Sequence, residues 1–194
     1  MDFFNSQTLI LLVVSAAILF GGGAWLAHGA YQSKRLKRRF GPEYDAVLRR
    51  LGSKARAEAE LRQRERRVER FEIVLLSSAE IARFSKAWLR LQRSFIDDPK
   101  GVLIEADRLV RELLVKRGYP VVDFDLRAAD ISVDHPIVVN NYRAAQRIVS
   151  LDQRGEASTE DLRKAVVHFR TLFDELLEVT RTRDPVAPPA RLAA

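Results

Sequence analysis

The first hydrophobic pattern along the chain is a continuous apolar run near the N-terminus, from Thr8 to Ala27. No residue between Phe3 and Ser33 is charged at neutral pH, with His28 counted as neutral. A helix of about 20 apolar residues is long enough to cross the hydrocarbon core of a bilayer, where it satisfies its own backbone hydrogen bonds. The pattern therefore predicts a transmembrane helix over residues 8–30, preceded by a short outer segment of residues 1–7.

Basic residues follow the apolar run directly and none precedes it. Since Lys and Arg beside a span favour the cytoplasmic side, we expect the N-terminus outside and the rest of the chain in the cytoplasm, as in a single-pass protein of the bacterial inner membrane. The chain carries a net charge of +7: residues 34–70 contribute +8, with 14 basic and 6 acidic side chains, and Asp2 contributes −1. We therefore predict contact with anionic lipid headgroups through Lys34, Arg35, Lys37, Arg38 and Arg39.

Two other interpretations of the apolar run fit it less well. A cleaved signal peptide begins with basic residues, whereas residues 1–7 contain Asp2 and neither Lys nor Arg. A buried core helix seldom stays uncharged over this length. Small residues four apart, such as Ala17 and Gly21, would let two spans approach closely, so a homo-oligomer stays open.

The next helical pattern is polar on all sides. The stretch from Lys54 to Arg70 is rich in good helix formers, but no apolar residue lies between Leu61 and Val68. A helix without an apolar face buries little surface, and pairs such as Glu58 with Arg62 can stabilise it in water. We therefore predict that residues 31–70 form basic juxtamembrane and spacer helices, with this stretch exposed to solvent.

A short β-like run, Phe71 to Leu76, follows the spacer. A lone strand has no pairing partner in an otherwise helical chain. We interpret the run as an extended connector whose apolar side chains pack on the domain behind it, with a strand as the alternative. It opens the helical domain, which is predicted over residues 71–183.

Residues 77–183 show the apolar periodicity of amphipathic helices. Ser77 and Glu80 have the spacing of a capping box at the start of the first helix. Later helices are expected to begin at Asp98, Phe124, Asp134 and Ser158. The predicted fold class is all-α, a bundle of about four helices behind a transmembrane helix and a charged spacer. A disordered Pro- and Ala-rich tail is predicted over residues 184–194.

Four stretches carry a family resemblance: Phe40–Asp45 (FGPEYD), Arg117–Pro136, Asn141–Arg143 (NYR) and Gly155–Leu177. They resemble an uncharacterised group of bacterial single-pass membrane proteins with a basic juxtamembrane stretch and a helical cytoplasmic domain. The resemblance implies the same topology and an all-helical domain, and it brings no assigned activity.

The chain offers few residues for catalysis or metal binding. It has no Cys, which excludes disulfides and thiolate metal ligands. Its three His lack the His-x-x-x-His spacing of zinc sites. Phosphate-binding loops and the G-x-S-x-G nucleophile motif are absent from the sequence. We therefore expect no cofactor, no metal and no enzymatic activity.

One part of the domain concentrates polar and aromatic residues that could line a pocket: Arg117, Tyr119, Asp130, Asp134, His135, Tyr142 and Arg143. The simpler interpretation is that these side chains serve the structure. Asp134 would cap a helix at its N-terminus. Asp130 would pair with Arg127 or Arg143.

Two members of this group have further expected roles. Tyr142 would pack in the core with its hydroxyl at the rim. His135, placed at a helix N-terminus, would stay neutral because the positive end of the helix dipole disfavours imidazolium. It would then be a hydrogen-bond partner for a ligand without acting as a base.

Two functional interpretations follow from the sequence. The first is a membrane-tethered protein-interaction module, an adaptor or scaffold, whose anchor concentrates it at the membrane. The alternative is a sensor that binds a small ligand or lipid headgroup in the bundle. Nucleic acid is not favoured as a partner, because only Phe40 and Tyr44 interrupt the basic region and base stacking needs more aromatic residues.

Overall fold

The computed structural model describes residues 20, 28–120 and 122–183, with side chains to residue 178. These residues form eight helices and contain no strand, which confirms the all-α fold class. The described part of helix α1 covers residues 28–40. The remaining helices are α2 (Pro42–Leu51), α3 (Lys54–Val68), α4 (Ser78–Ser94), α5 (Pro99–Lys116), α6 (Phe124–Asp134), α7 (Val139–Gln153) and α8 (Thr159–Arg183).

Several predictions for the chain ends fall outside this range. The outer segment 1–7, nearly all of the apolar run and the tail 184–194 lie outside the described residues. Among the helices that are described, none combines the length and the hydrophobicity needed to cross a membrane.

The chain divides into two compact units, Met1–Arg62 and Gln63–Ala194. The boundary falls inside α3, so the second unit begins earlier than the predicted boundary at residue 71.

In the first unit, α2 begins and ends where glycine and proline allow it. Gly41 has φ 47° and Pro42 occupies the first turn, while Gly52 ends the helix in the left-handed conformation at φ 63°. The hydroxyls of Ser33 and Tyr44 donate hydrogen bonds to the Glu58 carboxylate. Lys54 and Arg62 lie 3.8 and 3.7 Å from the same carboxylate, which confirms the predicted pairing of Glu58 with Arg62.

The prediction of a solvated helix over residues 54–70 is wrong. Besides apolar residues, α3 buries Arg64 and Glu65, which are 2% and 4% exposed. A charged side chain can be buried if it has polar partners inside the protein. Arg64 has such a partner, because it donates a hydrogen bond of 3.0 Å to the Ser132 hydroxyl of α6. The partner lies 68 residues away in sequence, so hydrophobic periodicity could not reveal this buried face.

The core of the second unit lies between α4, α5, α7 and α8, with α6 against α7. The Ser77–Glu80 capping box at the start of α4 is confirmed. Trp88 of α4 stacks on Phe173 of α8 with ring centroids 4.6 Å apart. The α5 face is buried along its length, as predicted, through Val102, Leu103, Ala106, Leu109, Val110, Leu113 and Leu114.

Residues 72–77 contain neither helix nor strand, so Phe71 to Leu76 is the predicted extended connector. Leu76 is buried in the core, and the amide of Val74 donates to the Arg117 carbonyl at 3.1 Å. Gly118, at φ 93°, lies against this connector. A Cβ at that position would collide with the Glu72 carbonyl oxygen, so the close approach requires glycine.

The predicted helix start at Asp134 is wrong. Asp134 is the last residue of α6, and the following helix begins at Val139. Pro136 lies in the segment between the two helices. The sequence pattern had placed it in the first turn of a helix. Asp134 therefore caps no N-terminus.

Candidate functional site

Five of the seven predicted pocket residues lie close together around the C-terminal end of α6: Arg117, Tyr119, Asp130, Asp134 and His135. The charges of Arg117, Asp130 and Asp134 act on Tyr119, and those of Arg117 and Asp134 also act on His135. The Tyr119 hydroxyl donates to Asp134 Oδ2 at 3.1 Å. Burial, followed by the negative charge of Asp134, raises the pKa of Tyr119 well above its usual value. Tyr119 is therefore a neutral donor at any physiological pH.

His135 follows the C-terminal end of α6, so the predicted placement at a helix N-terminus is wrong. Its side chain is buried, and Nδ1 lies 3.2 Å from Glu175 Oε1. Burial lowers the pKa of His135, while the hydrogen bond with Glu175 opposes the shift. The expected neutral state thus has a different cause, desolvation rather than the helix dipole. His135 Nε2 has no hydrogen-bond partner among the described residues.

Arg117 and Asp130 both make polar contacts within the protein. Arg117 is 1% exposed, and its Nη1 donates to the Leu176 carbonyl of α8 at 2.6 Å. Asp130 pairs with Arg67 of α3 instead of the predicted Arg127 or Arg143. These contacts join α3, α5, α6 and α8, so the two side chains hold helices together.

Tyr142 and Arg143 belong to α7. Tyr142 is fully buried, with its hydroxyl inside and not at the rim, where it accepts a hydrogen bond of 2.8 Å from Arg127 Nε. Burial, partly offset by the Arg127 charge, raises the pKa of Tyr142 to about 12. Arg143 is half-buried and donates to Asn140 one turn earlier at 3.4 Å.

A groove between α4 and α5 was missed by sequence reasoning. It encloses about 510 Å³. The apolar residues that line it are Phe84, Ala87, Leu91, Val102 and Leu109. Its α5 rim carries Glu105, Arg108 and Glu112, which pair with one another at 2.5 and 3.4 Å. The α4 rim carries Arg83 and Arg90.

Two further clefts are formed by described residues. One of about 190 Å³ lies between α4 and α8, with Trp88 and Phe173 in its wall. The other, of about 590 Å³, belongs to the first unit and is lined by residues that include Ser33, Lys54 and Glu58. In that cleft the Glu58 carboxylate is already bonded to two hydroxyls, so it offers little unsatisfied polar surface.

No group of His, Asp and Glu within the described residues has the arrangement of a metal site. No protein-family model, curated protein or solved structure significantly matches the chain. Function must therefore be argued from the surfaces and charges described above.

Proposed function

We propose that the chain is a single-pass membrane-anchored protein whose helical domain, in the cytoplasm, binds another protein as an adaptor or scaffold. The topology part of this proposal rests on the uncharged run from Thr8 to Ala27 and on the basic residues after it. The interaction part rests on the surface of the second unit.

The observation that carries the interaction part is the open groove between α4 and α5, which has apolar residues at its floor and charged residues along both rims. Grooves between two helices are a common binding site for an amphipathic helix, whose apolar face packs into the groove. Phe84 and Leu91 form part of its floor and are nearly buried. Ile96, just after α4, and Ile104 of α5 are more than half exposed. Clustered exposed apolar surface is characteristic of binding surfaces.

The first unit supports contact with the membrane surface. All five cations of the predicted headgroup-binding set, Lys34, Arg35, Lys37, Arg38 and Arg39, have exposed side chains. Lys34 and Arg38 lie one turn apart and make no ion pair with any described residue. Each exposed cation near an anionic leaflet contributes about 1 kcal/mol of attraction. These cations support the anchoring part of the proposal.

The sensor alternative is less well supported. It needs a polar cavity inside the bundle, but Arg117, Tyr119 and Tyr142 have hydrogen-bond partners in the protein. Only single atoms of the group, such as His135 Nε2 and Asp130 Oδ2, lack one among the described residues. Buried polar groups that are satisfied in this way stabilise the bundle and leave little to bind a ligand.

A co-purification tests the proposal. The full chain and a version ending at Gly52, which keeps the anchor and lacks the second unit, are solubilised from native membranes with detergent and their bound proteins are compared. We expect a protein that follows the full chain and is absent with the shorter one. Equal recovery of the same proteins with both versions would refute the interaction module.

The topology is tested with a C-terminal reporter. Replacing the five cations by Gln should reduce the fraction of chains with a cytoplasmic C-terminus, because charge bias orients the span. An unchanged distribution would refute the proposed role of the basic residues.

A further inference from the structure

The solvent face of α4 carries a row of cations. Arg83, Lys86, Arg90 and Arg93 are all exposed, and their spacings of three and four residues place them on one side of a helix. Glu80 in the first turn is the one acidic residue of α4. The row lies within a chain segment whose overall charge balances, since residues 71–194 contain 19 basic and 19 acidic side chains. Positive charge is therefore segregated onto this helix.

Most of the row has no partner of opposite charge. Arg83 donates to Glu112 of α5 at 2.9 Å. Lys86, Arg90 and Arg93 make no ion pair with any residue that the structure describes. Other exposed cations of the second unit, such as Arg108 and Arg163, are paired with a carboxylate one turn away. The three unpaired cations leave a positive strip beside the groove.

The groove runs along this strip. Its lining on α4 extends from Arg83 to Ser94, which corresponds to about 17 Å, or three helical turns, at 1.5 Å per residue. Arg90 lies on its rim. The α5 rim is net negative, since its single cation, Arg108, lies between the two carboxylates of Glu105 and Glu112. The positive side of the groove is therefore the α4 side.

We propose that the α4–α5 groove binds an acidic amphipathic helix of about three turns from a partner protein. Apolar residues of that helix would lie along the groove over Ala87, and its Asp or Glu side chains would face Lys86, Arg90 and Arg93. The inference rests on the proposed interaction function and names the chemistry of its partner.

Other anionic surfaces fit the groove less well. A lipid surface or a nucleic acid would contact the cations and leave the apolar groove open to water. Bases need exposed aromatic faces for stacking, and the aromatic residues of α4, Phe84 and Trp88, are 1% and 3% exposed. A peptide with both acidic and apolar faces uses the strip and the groove together.

The test compares two variants with the same loss of charge. K86Q/R90Q/R93Q removes the unpaired row, and the control R147Q/R154Q/R163Q removes three exposed cations of the α7–α8 side. The full-length proteins are purified with their partners from native membranes at 50 and 300 mM salt, and their melting temperatures are compared to confirm folding. A photo-crosslinking amino acid in place of Ala87 identifies the segment that contacts the groove. Thr171, an exposed residue of α8, is the control position.

We expect the row variant to recover about tenfold less partner than the wild type and the control variant to recover a similar amount, since three exposed charge pairs together change affinity by about that factor. Wild-type recovery should fall at 300 mM salt. The segment crosslinked from position 87 should be acidic and amphipathic.

Equal recovery by the row variant and the wild type would overturn this inference and leave the interaction function standing. Recovery of no partner with the wild-type chain would overturn both. Crosslinks from position 87 to lipid or nucleic acid, or to a basic segment, would also overturn it. Binding of the wild-type protein, but not of the row variant, to phosphatidylglycerol vesicles in the absence of partner would assign the row to the membrane instead.

Discussion

Arg67 and Asp130 form an ion pair that joins α3 to α6, with Arg67 Nε and Nη2 at 2.6 and 2.5 Å from Asp130 Oδ1. The Asp130 side chain is 1% exposed, while Arg67 keeps about a quarter of its side chain in solvent. Burial raises the pKa of Asp130, and Arg67 acts in the opposite direction. The ion pair therefore offsets the desolvation penalty of a buried carboxylate.

Replacing Arg67 by Ala should destabilise the protein by about 3–5 kcal/mol, because it leaves a buried carboxylate without its counter-charge. Urea unfolding of the purified full-length protein measures the loss. Arg66→Ala is the matched control, since Arg66 is exposed on the same turn and its replacement should change stability by less than about 0.5 kcal/mol. Equal effects of the two substitutions would show that the pair contributes nothing.

Gly118→Ala should cost more than Gly155→Ala, although both glycines have positive φ. The left-handed conformation costs an alanine about 1–2 kcal/mol at either position. At Gly118 the new Cβ also collides with the Glu72 carbonyl, whereas it meets nothing within 4 Å at Gly155. The collision should add about 1–3 kcal/mol. Thermal unfolding of both variants measures the difference, and equal melting temperatures would argue against the close approach of the connector.

Trp88→Ala should cost about 3–5 kcal/mol, because it removes the stacking on Phe173 and opens a cavity in the core. Its neighbour Leu89 is 53% exposed. Leu89→Ala should therefore cost well under half as much in the same unfolding measurement. Retention of full stability by the Trp88 variant would mean that this part of α4 does not belong to the core.

Acidification should destabilise the protein through His135. Because burial lowers its folded pKa, the unfolded chain binds a proton first when the pH falls below the ordinary value of about 6.5, and stability is lost in that range. The charged groups that act on the imidazole are Glu175, Asp134 and Arg117. Unfolding free energies measured between pH 7.5 and 5.5 should decline more steeply for the wild type than for His135→Gln.

Glu175→Gln provides a second measurement on the same group. Loss of the carboxylate that favours the imidazolium should lower the folded pKa of His135 further. The decline in stability below pH 6.5 should then be steeper than in the wild type. A decline equal to that of the wild type would show that Glu175 does not act on His135.

The apolar faces of the bundle could be predicted because they repeat at helical spacing. Every predicted core residue from Val102 to Leu114 is buried, and the Ser77–Glu80 box lies where the sequence places it. Periodicity reports the face of each helix separately. It therefore succeeds wherever burial and hydrophobicity coincide.

Prediction failed where polar groups are buried through distant contacts. Nothing in the sequence near Arg64 indicates that Ser132 will accept its hydrogen bond, so α3 is polar by pattern and buried in fact. Asp134 and Pro136 resemble a helix start, yet α6 continues through Asp134. The row of cations on α4 was not predicted, because the charges of residues 71–194 balance overall. Whether a given cation has a partner depends on which carboxylates the fold brings near it.

The pairing of α3 with α6 also has a consequence for the order of events during synthesis. Arg67 and Asp130 are 63 residues apart, and ribosomes add about 5–20 residues per second, so Arg67 is made roughly 3–13 s before its acceptor exists. Ser132, the acceptor for Arg64, is made later still. The C-terminal half of α3 thus stays hydrated while α4 and α5 are translated, and α6 can cover it only after leaving the exit tunnel.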